Sequence, residues 1–238
     1  MLEEHFFSRR SEMFEVLLDH CCQRLQAAVH KKTQASLLVS GGSSPEPLYR
    51  QLAETPLEWS RVTVALVDER WVEAGEPGSN ETFIVDNLLQ DHARGANLVA
   101  MKNSADTAIQ GQPFCEAGYQ QLGRPFDLII LGMGVDGHTA SLFPNATGLG
   151  LALDINQRQL CVAIDAQPTD VTGKHTERMT LSLYGLLQSE AIYLLISGPE
   201  KLAVYKQAKQ LAGHGDQTMP VSRVLNQRQV PVQVYWAP

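Results

Sequence analysis

Asp136 and His138 stand two residues apart in the turn Gly132-Met133-Gly134-Val135-Asp136-Gly137-His138. An imidazole titrates near neutrality, with a reference pKa of about 6.5, so a histidine in a cleft can take a proton from water and hand it on. The turn follows the apolar run Leu128-Ile129-Ile130-Leu131, which has the pattern of a strand buried on both faces. Ligands of open α/β sheets collect beyond the carboxyl ends of such strands. His138 is therefore the candidate general base. Asp136 either orients its ring or closes the turn through an Asx-type hydrogen bond. A plain tight turn with a solvated histidine fits the same residues.

Gly132, Gly134 and Gly137 also satisfy G-x-G-x-x-G, with Asp154 roughly 20 residues on, the spacing of a dinucleotide fingerprint. That fingerprint works only when the turn opens a long helix whose N-terminus receives a pyrophosphate. Pro144 follows too soon to leave room for one. No nucleotide cofactor is expected.

Two further strand ends carry polar groups. Ser36–Ser40 runs into Gly41-Gly42-Ser43-Ser44-Pro45 and then a helical pattern, Glu46 to Leu52. With Ser44 as N-cap and Pro45 as first helical residue, the turn would present free N–H groups and the positive end of the helix dipole to an anion. A bland capped helix is the alternative. No Gly-Lys-Ser/Thr follows, so this is not a Walker A loop. Val62–Val67 ends in Asp68-Glu69-Arg70-Trp71; charges at the end of a core strand either pair with one another or face a ligand. A parallel sheet would bring all three strand ends to one edge.

Together these segments resemble the 6-phosphogluconolactonases, within the larger group that includes glucosamine-6-phosphate deaminase. The resemblance spans nearly the whole chain. It rests on Ser40 to Pro45, on Asp68-Glu69-Arg70-Trp71-Val72 with Ser79-Asn80, on Gly132 to Pro144, on Arg178-Met179-Thr180, on Gly198-Pro199-Glu200-Lys201, and on Pro220-Val221-Ser222. Val135 and Ser44 are small departures, from an acidic residue and a threonine. The resemblance implies hydrolysis of 6-phospho-D-glucono-1,5-lactone without metal, cofactor or covalent intermediate, with His138 activating water. It implies Ser40, Gly41, Gly42, Ser43, Asp68, Arg70, Arg178 and Lys201 as binding residues, the two arginines and the lysine for the phosphate. An arginine fork matches phosphate oxygens, whereas a lysine supplies a point charge. Backbone N–H groups of Gly41-Gly42 are candidate donors to the oxyanion.

Deaminases of the group carry a Glu five residues after the histidine; here that position is Phe143. A non-catalytic sugar-phosphate sensor would have no reason to keep the Asp-Gly-His turn. A serine hydrolase is disfavoured because no G-x-S-x-G elbow occurs and Ser141 has no recognisable partners.

The elements that must hold these residues alternate. A helix is expected over Arg9–His30 before the first strand, with Met13, Val16, Leu17, Leu25 and Val29 on its apolar side. Later strands are expected near Leu98–Met101, Asp127–Leu131, Leu160–Ile164, Met179–Leu183, Ala191–Ser197 and Val230–Trp236. The fold expected is a single α/β domain over residues 1–238, a mostly parallel, doubly wound (Rossmann-like) sheet flanked by helices on both faces. Asp165–Glu177, with Lys174 and His175, reads as a loop able to close over the substrate, and Ala212–Thr218 as a surface loop.

At 238 residues the chain can bury a full core. Its net charge of −7 disfavours nucleic acid and requires any phosphate site to be built from local cations. The acidic start, Met1-Leu2-Glu3-Glu4-His5, and the lack of a long apolar run point to neither signal peptide nor membrane span. Cys21, Cys22, Cys115 and Cys161 have no metal or redox spacing. A cytoplasmic enzyme, monomer or homodimer, with a small phosphorylated sugar lactone as its partner, is expected.

Overall fold

The structure, a computed structural model, describes residues 1–211 and 218–238; the loop expected over Ala212–Thr218 lies, Thr218 apart, outside them. The strands are β1 (Leu2–Phe6), β2 (Ala35–Val39), β3 (Val62–Leu66), β4 (Asp68–Arg70), β5 (Asn97–Val99), β6 (Leu128–Gly132), β7 (Cys161–Asp165), β8 (Glu177–Leu181), β9 (Ile192–Ser197) and β10 (Val232–Ala237). The helices are α1 (Arg10–Lys32), α2 (Glu46–Ala53), α3 (Asn80–Asn87), α4 (Ala108–Gln120), α5 (Leu149–Leu153), α6 (Leu183–Leu186), α7 (Gly198–Gln210) and α8 (Val221–Leu225).

Seven strands form one parallel sheet in the order β1-β10-β9-β6-β2-β3-β5. Its central strands, β2 and the Leu128–Leu131 run of β6, are buried at every residue. Such runs need cover on both faces, which crossover helices supply. α1 packs across β2, β6 and β10 through Met13, Phe14, Leu17, Cys21, Leu25, Ala28 and Val29, a stripe at the i, i+3/i+4 spacing of one helix face. From the adjacent pair β2 and β6 the chain winds outward in opposite directions, to β3 and β5 on one side and to β9, β10 and β1 on the other. Right-handed crossovers then place helices on opposite faces of the two halves. The point where the order reverses is where such sheets bind ligands.

Four expectations change. The chain opens with a strand, β1, paired to β10, not with the helix; it lies at the sheet edge, and none of its Leu-Glu-Glu-His-Phe residues is fully buried. The stretches read as Leu160–Ile164 and Met179–Leu183 do form strands, but β7 and β8 join β4 in a separate three-stranded antiparallel sheet, order β4-β8-β7. Local pattern identifies a strand but not its partner. Asp68–Arg70 is thus a strand of this small sheet and not the frayed end of β3. Finally, α2 begins at Glu46 with Pro45 as its N-cap and no side-chain cap. Ser44 does not cap it.

Candidate active site

The carboxyl ends of β2 and β6 open into a cleft of about 330 Å³ at the switch point. Ser40, Gly41, Gly42, Ser43, Asp68, Arg70, His138, Arg178 and Lys201 all line it. Asp136 does not; it lies behind the imidazole. Asn80, Phe143 and Val171 also reach the wall.

His138 is held from its own turn. Its Nδ1 is 2.5 Å from Asp136 Oδ1, and its N–H donates to the same oxygen at 3.1 Å. Burial pushes the Asp136 carboxyl up, but the hydrogen bonds and charge of His138 outweigh it and hold the group below its ordinary 3.8. An ionised Asp136 has no proton to donate, so Nδ1 carries the hydrogen and the lone pair is on Nε2. The side chain is 19% exposed, with Nε2 bonded to no described protein group. Asp136 Oδ1 thus contacts both the backbone and the ring of His138.

The rest of the turn is fixed by Gly134 N–H donating to His138 C=O, by Thr139 Oγ1 donating to Gly132 C=O, and by Val221 N–H donating to Gly137 C=O. The last contact gives Pro220-Val221-Ser222 its place: the start of α8 buttresses the Asp-Gly-His turn. A Cβ at Gly134 would collide with His138 Nδ1 and Cε1, so only glycine lets the histidine fold back onto Asp136.

The opposite wall comes from the small sheet. Arg70 and Arg178 are register partners across β4 and β8. Arg178 is buried and donates from Nε to His175 C=O and from Nη2 to Thr172 C=O. Burial and the neighbouring Arg70 charge lower its pKa to about 10. Arg70 donates from Nη1 to Gly78 C=O, while its buried Nε has no partner. Lys201, at the start of α7, donates to Ser44 Oγ at 3.3 Å, and burial lowers its pKa. None of the three cations forms an ion pair with a described carboxylate. Asp68 and Glu69 offset part of the charge on Arg178, but three cations without a direct ion-pair partner are costly to gather in one place, and an anionic ligand lowers that cost. Ser40 Oγ, also buried and unpartnered, faces the same space. Neither Gly41 N–H nor Gly42 N–H donates to a described protein group.

Asp68 and Glu69 part company. Adjacent strand residues point to opposite faces, and Asp68 lines the cleft while Glu69 does not. Asp68 Oδ2 accepts from Ser141 Oγ at 2.6 Å, and Asn80 Nδ2 donates to its backbone carbonyl at 2.9 Å. Glu69 accepts from the N–H groups of Arg70, Asn80 and Glu81 at 2.7–2.8 Å and so caps α3. Ser141 is an Asp68 partner, buried away from a nucleophile's position. Asn80 was missed as a cleft residue, although Ser79-Asn80 was among the segments noted in the sequence. The stretch Asp165–Glu177 connects β7 to β8; Arg178 ties it down at Thr172 and His175, and Val171 is the residue it contributes to the cleft.

The fold and cleft define a class: a doubly wound α/β protein that sets a carboxylate-held histidine against a cluster of cations at its switch point. The family described as glucosamine-6-phosphate isomerases/6-phosphogluconolactonase matches residues 8–236, and the chain belongs to it. A 6-phosphogluconolactonase of Rhizobium meliloti (strain 1021) is 38% identical over 98% of both chains. One from Pseudomonas aeruginosa is 36% identical over 90% of this chain and 86% of its own. The crystal structure of a 6-phosphogluconolactonase from Shewanella baltica OS155 matches with a TM-score of 0.92 at 40% identity, covering 100% of this chain and 98% of that one.

Proposed function

We propose that this chain hydrolyses 6-phospho-D-glucono-1,5-lactone to 6-phospho-D-gluconate. The observation that carries the reading is the His138 lone pair at Nε2, fixed by Asp136 in a cleft that also holds Arg70, Arg178 and Lys201, none of them in an ion pair with a described carboxylate. His138 Nε2 takes a proton from a water molecule as its oxygen attacks C1 of the lactone. The carbonyl becomes an oxyanion, to which the Gly41 and Gly42 N–H groups donate. On collapse the bond from C1 to the ring oxygen breaks, and the imidazolium returns the proton to that oxygen. Every atom is accounted for by lactone, water and one base. The three cations hold the phosphate, remote from the reacting carbon, with Ser43 and the Ser44–Lys201 contact beside them.

Asp68, its Oδ2 held by Ser141, accepts from a sugar hydroxyl. A cytoplasmic location goes with this reading; the four free thiols support it, and no helix among the described residues is long and apolar enough to cross a membrane. The family also contains isomerases that act on glucosamine 6-phosphate, which makes the substrate pair the test. The purified protein is expected to open the phosphorylated lactone faster than its spontaneous hydrolysis and to release no ammonia from glucosamine 6-phosphate. Rapid ammonia release overturns the assignment, and loss of both activities in a folded sample favours a sensor.

A further inference from the structure

Phe143 is 3% exposed, lines the cleft, and touches both halves of the site. Its ring centroid lies 4.2 Å from that of His138 at a 32° tilt, close to stacking, and 5.3 Å from the Arg178 guanidinium carbon. Asp136 fixes one edge of the imidazole; a hydrogen bond at one nitrogen leaves the ring free to swing about that contact. The face of Phe143 removes this freedom. It also presents an electron-rich surface to the imidazole, and such surfaces attract cations.

We propose that Phe143 is a positioning residue for the hydrolysis, fixing the plane of the His138 ring and sheltering the cation that ring becomes between taking the proton from water and returning it. The inference rests on His138 being the base. The shelter matters because other cations crowd the cleft. Around the imidazole stand Asp136 on its own turn, Asp68 and Arg70 from β4, Arg178 from β8 and Lys201 from α7. Three of these are positive and oppose a further positive charge. Asp136, Asp68 and the Phe143 ring favour it. Arg178 keeps its place without the ring, because Thr172 and His175 hold it through their carbonyls.

The experiment is the pH dependence of kcat/KM for Phe143→Leu and Phe143→Tyr beside the unmodified protein and His138→Ala, all corrected for spontaneous hydrolysis. Aromatic–cation contacts are worth about a 2- to 30-fold change. F143L is therefore expected to lose that much in kcat with KM changed less than about 3-fold, and its acid limb is expected to move to lower pH. F143Y, which keeps the aromatic face, should restore both. Loss of packing alone would lower activity without moving the limb. An unmoved acid limb in F143L, or a Tyr variant that folds but behaves like the Leu variant, overturns the proposal. Should F143L not fold, Phe143→Met keeps the volume without the aromatic face, and an unmoved limb there counts equally against it. Substantial activity in H138A would instead overturn the base assignment, which separates the two failures.

Discussion

The base is defined at the scale of single residues, where Asp136 and His138 make their contact within one turn. A water-activating base contributes about 10²–10⁴-fold. His138→Ala should thus lower kcat by that factor above the spontaneous rate, leaving affinity for 6-phosphogluconate largely unchanged. Asp136→Asn makes a finer cut. An amide can donate to Nδ1, which puts the proton on Nε2 and removes the acceptor from the cleft, so kcat should fall toward the His138→Ala value with KM little altered. If D136N keeps near-full kcat, Asp136 only closes the turn. This pair was half legible in the sequence: two residues of spacing put both side chains in one turn, but the same spacing fits a solvated histidine, and the distant start of α8 also holds the turn. The Asp68–Ser141 bond was not legible, since it joins residues 73 apart in the chain.

Elements decide what each residue faces. Glu69 reads in sequence as a candidate ligand group beside Asp68, yet strand alternation turns it to α3, and that period of two was available to separate the pair. Burial drives its carboxyl up from 4.5 to about 7 against the pull of three backbone N–H groups. The folded protein therefore binds this proton more tightly than the unfolded chain does. The contribution to stability is fully present below pH 4.5 and is lost as pH rises through about 7. That span corresponds to about 3 kcal/mol. Glu69→Gln lacks the ionisation and carries a constant penalty for its changed hydrogen bonding. Urea unfolding at pH 5 and pH 8 should show the unmodified protein losing up to about 3 kcal/mol relative to E69Q. Parallel stabilities across that range would refute the account. β1, β7 and β8 mark the other limit of reading elements locally. The acidic start offers no apolar run to read as a strand, and β7, Cys161–Asp165, is apolar enough to pass for a strand of the main sheet.

For the molecule as a whole, a net charge of −7 opposes a phosphorylated ligand at long range, whereas the cleft attracts it at short range. The cleft wins because its cations come from different parts of the fold: Arg70 from β4, Arg178 from β8 and Lys201 from α7, facing loops that leave β2 and β6. A ligand held there bridges both halves of the doubly wound sheet and the small antiparallel sheet, so its binding energy adds to the stability of the entire fold. At a concentration of about 100 Kd a ligand specific to the folded state contributes about 2.7 kcal/mol. For a chain of this length 6-phosphogluconate should then raise Tm by about 5–10 °C. Arg70→Ala or Lys201→Ala should lose most of that increment at the same concentration while melting near the unmodified protein when no ligand is added, because neither cation has a carboxylate partner to orphan. Inorganic phosphate should give a smaller shift with the same dependence on these residues. Equal Tm increments in the unmodified protein and in both variants would place the phosphate elsewhere, and with it the end of the cleft at which the lactone carbonyl meets His138.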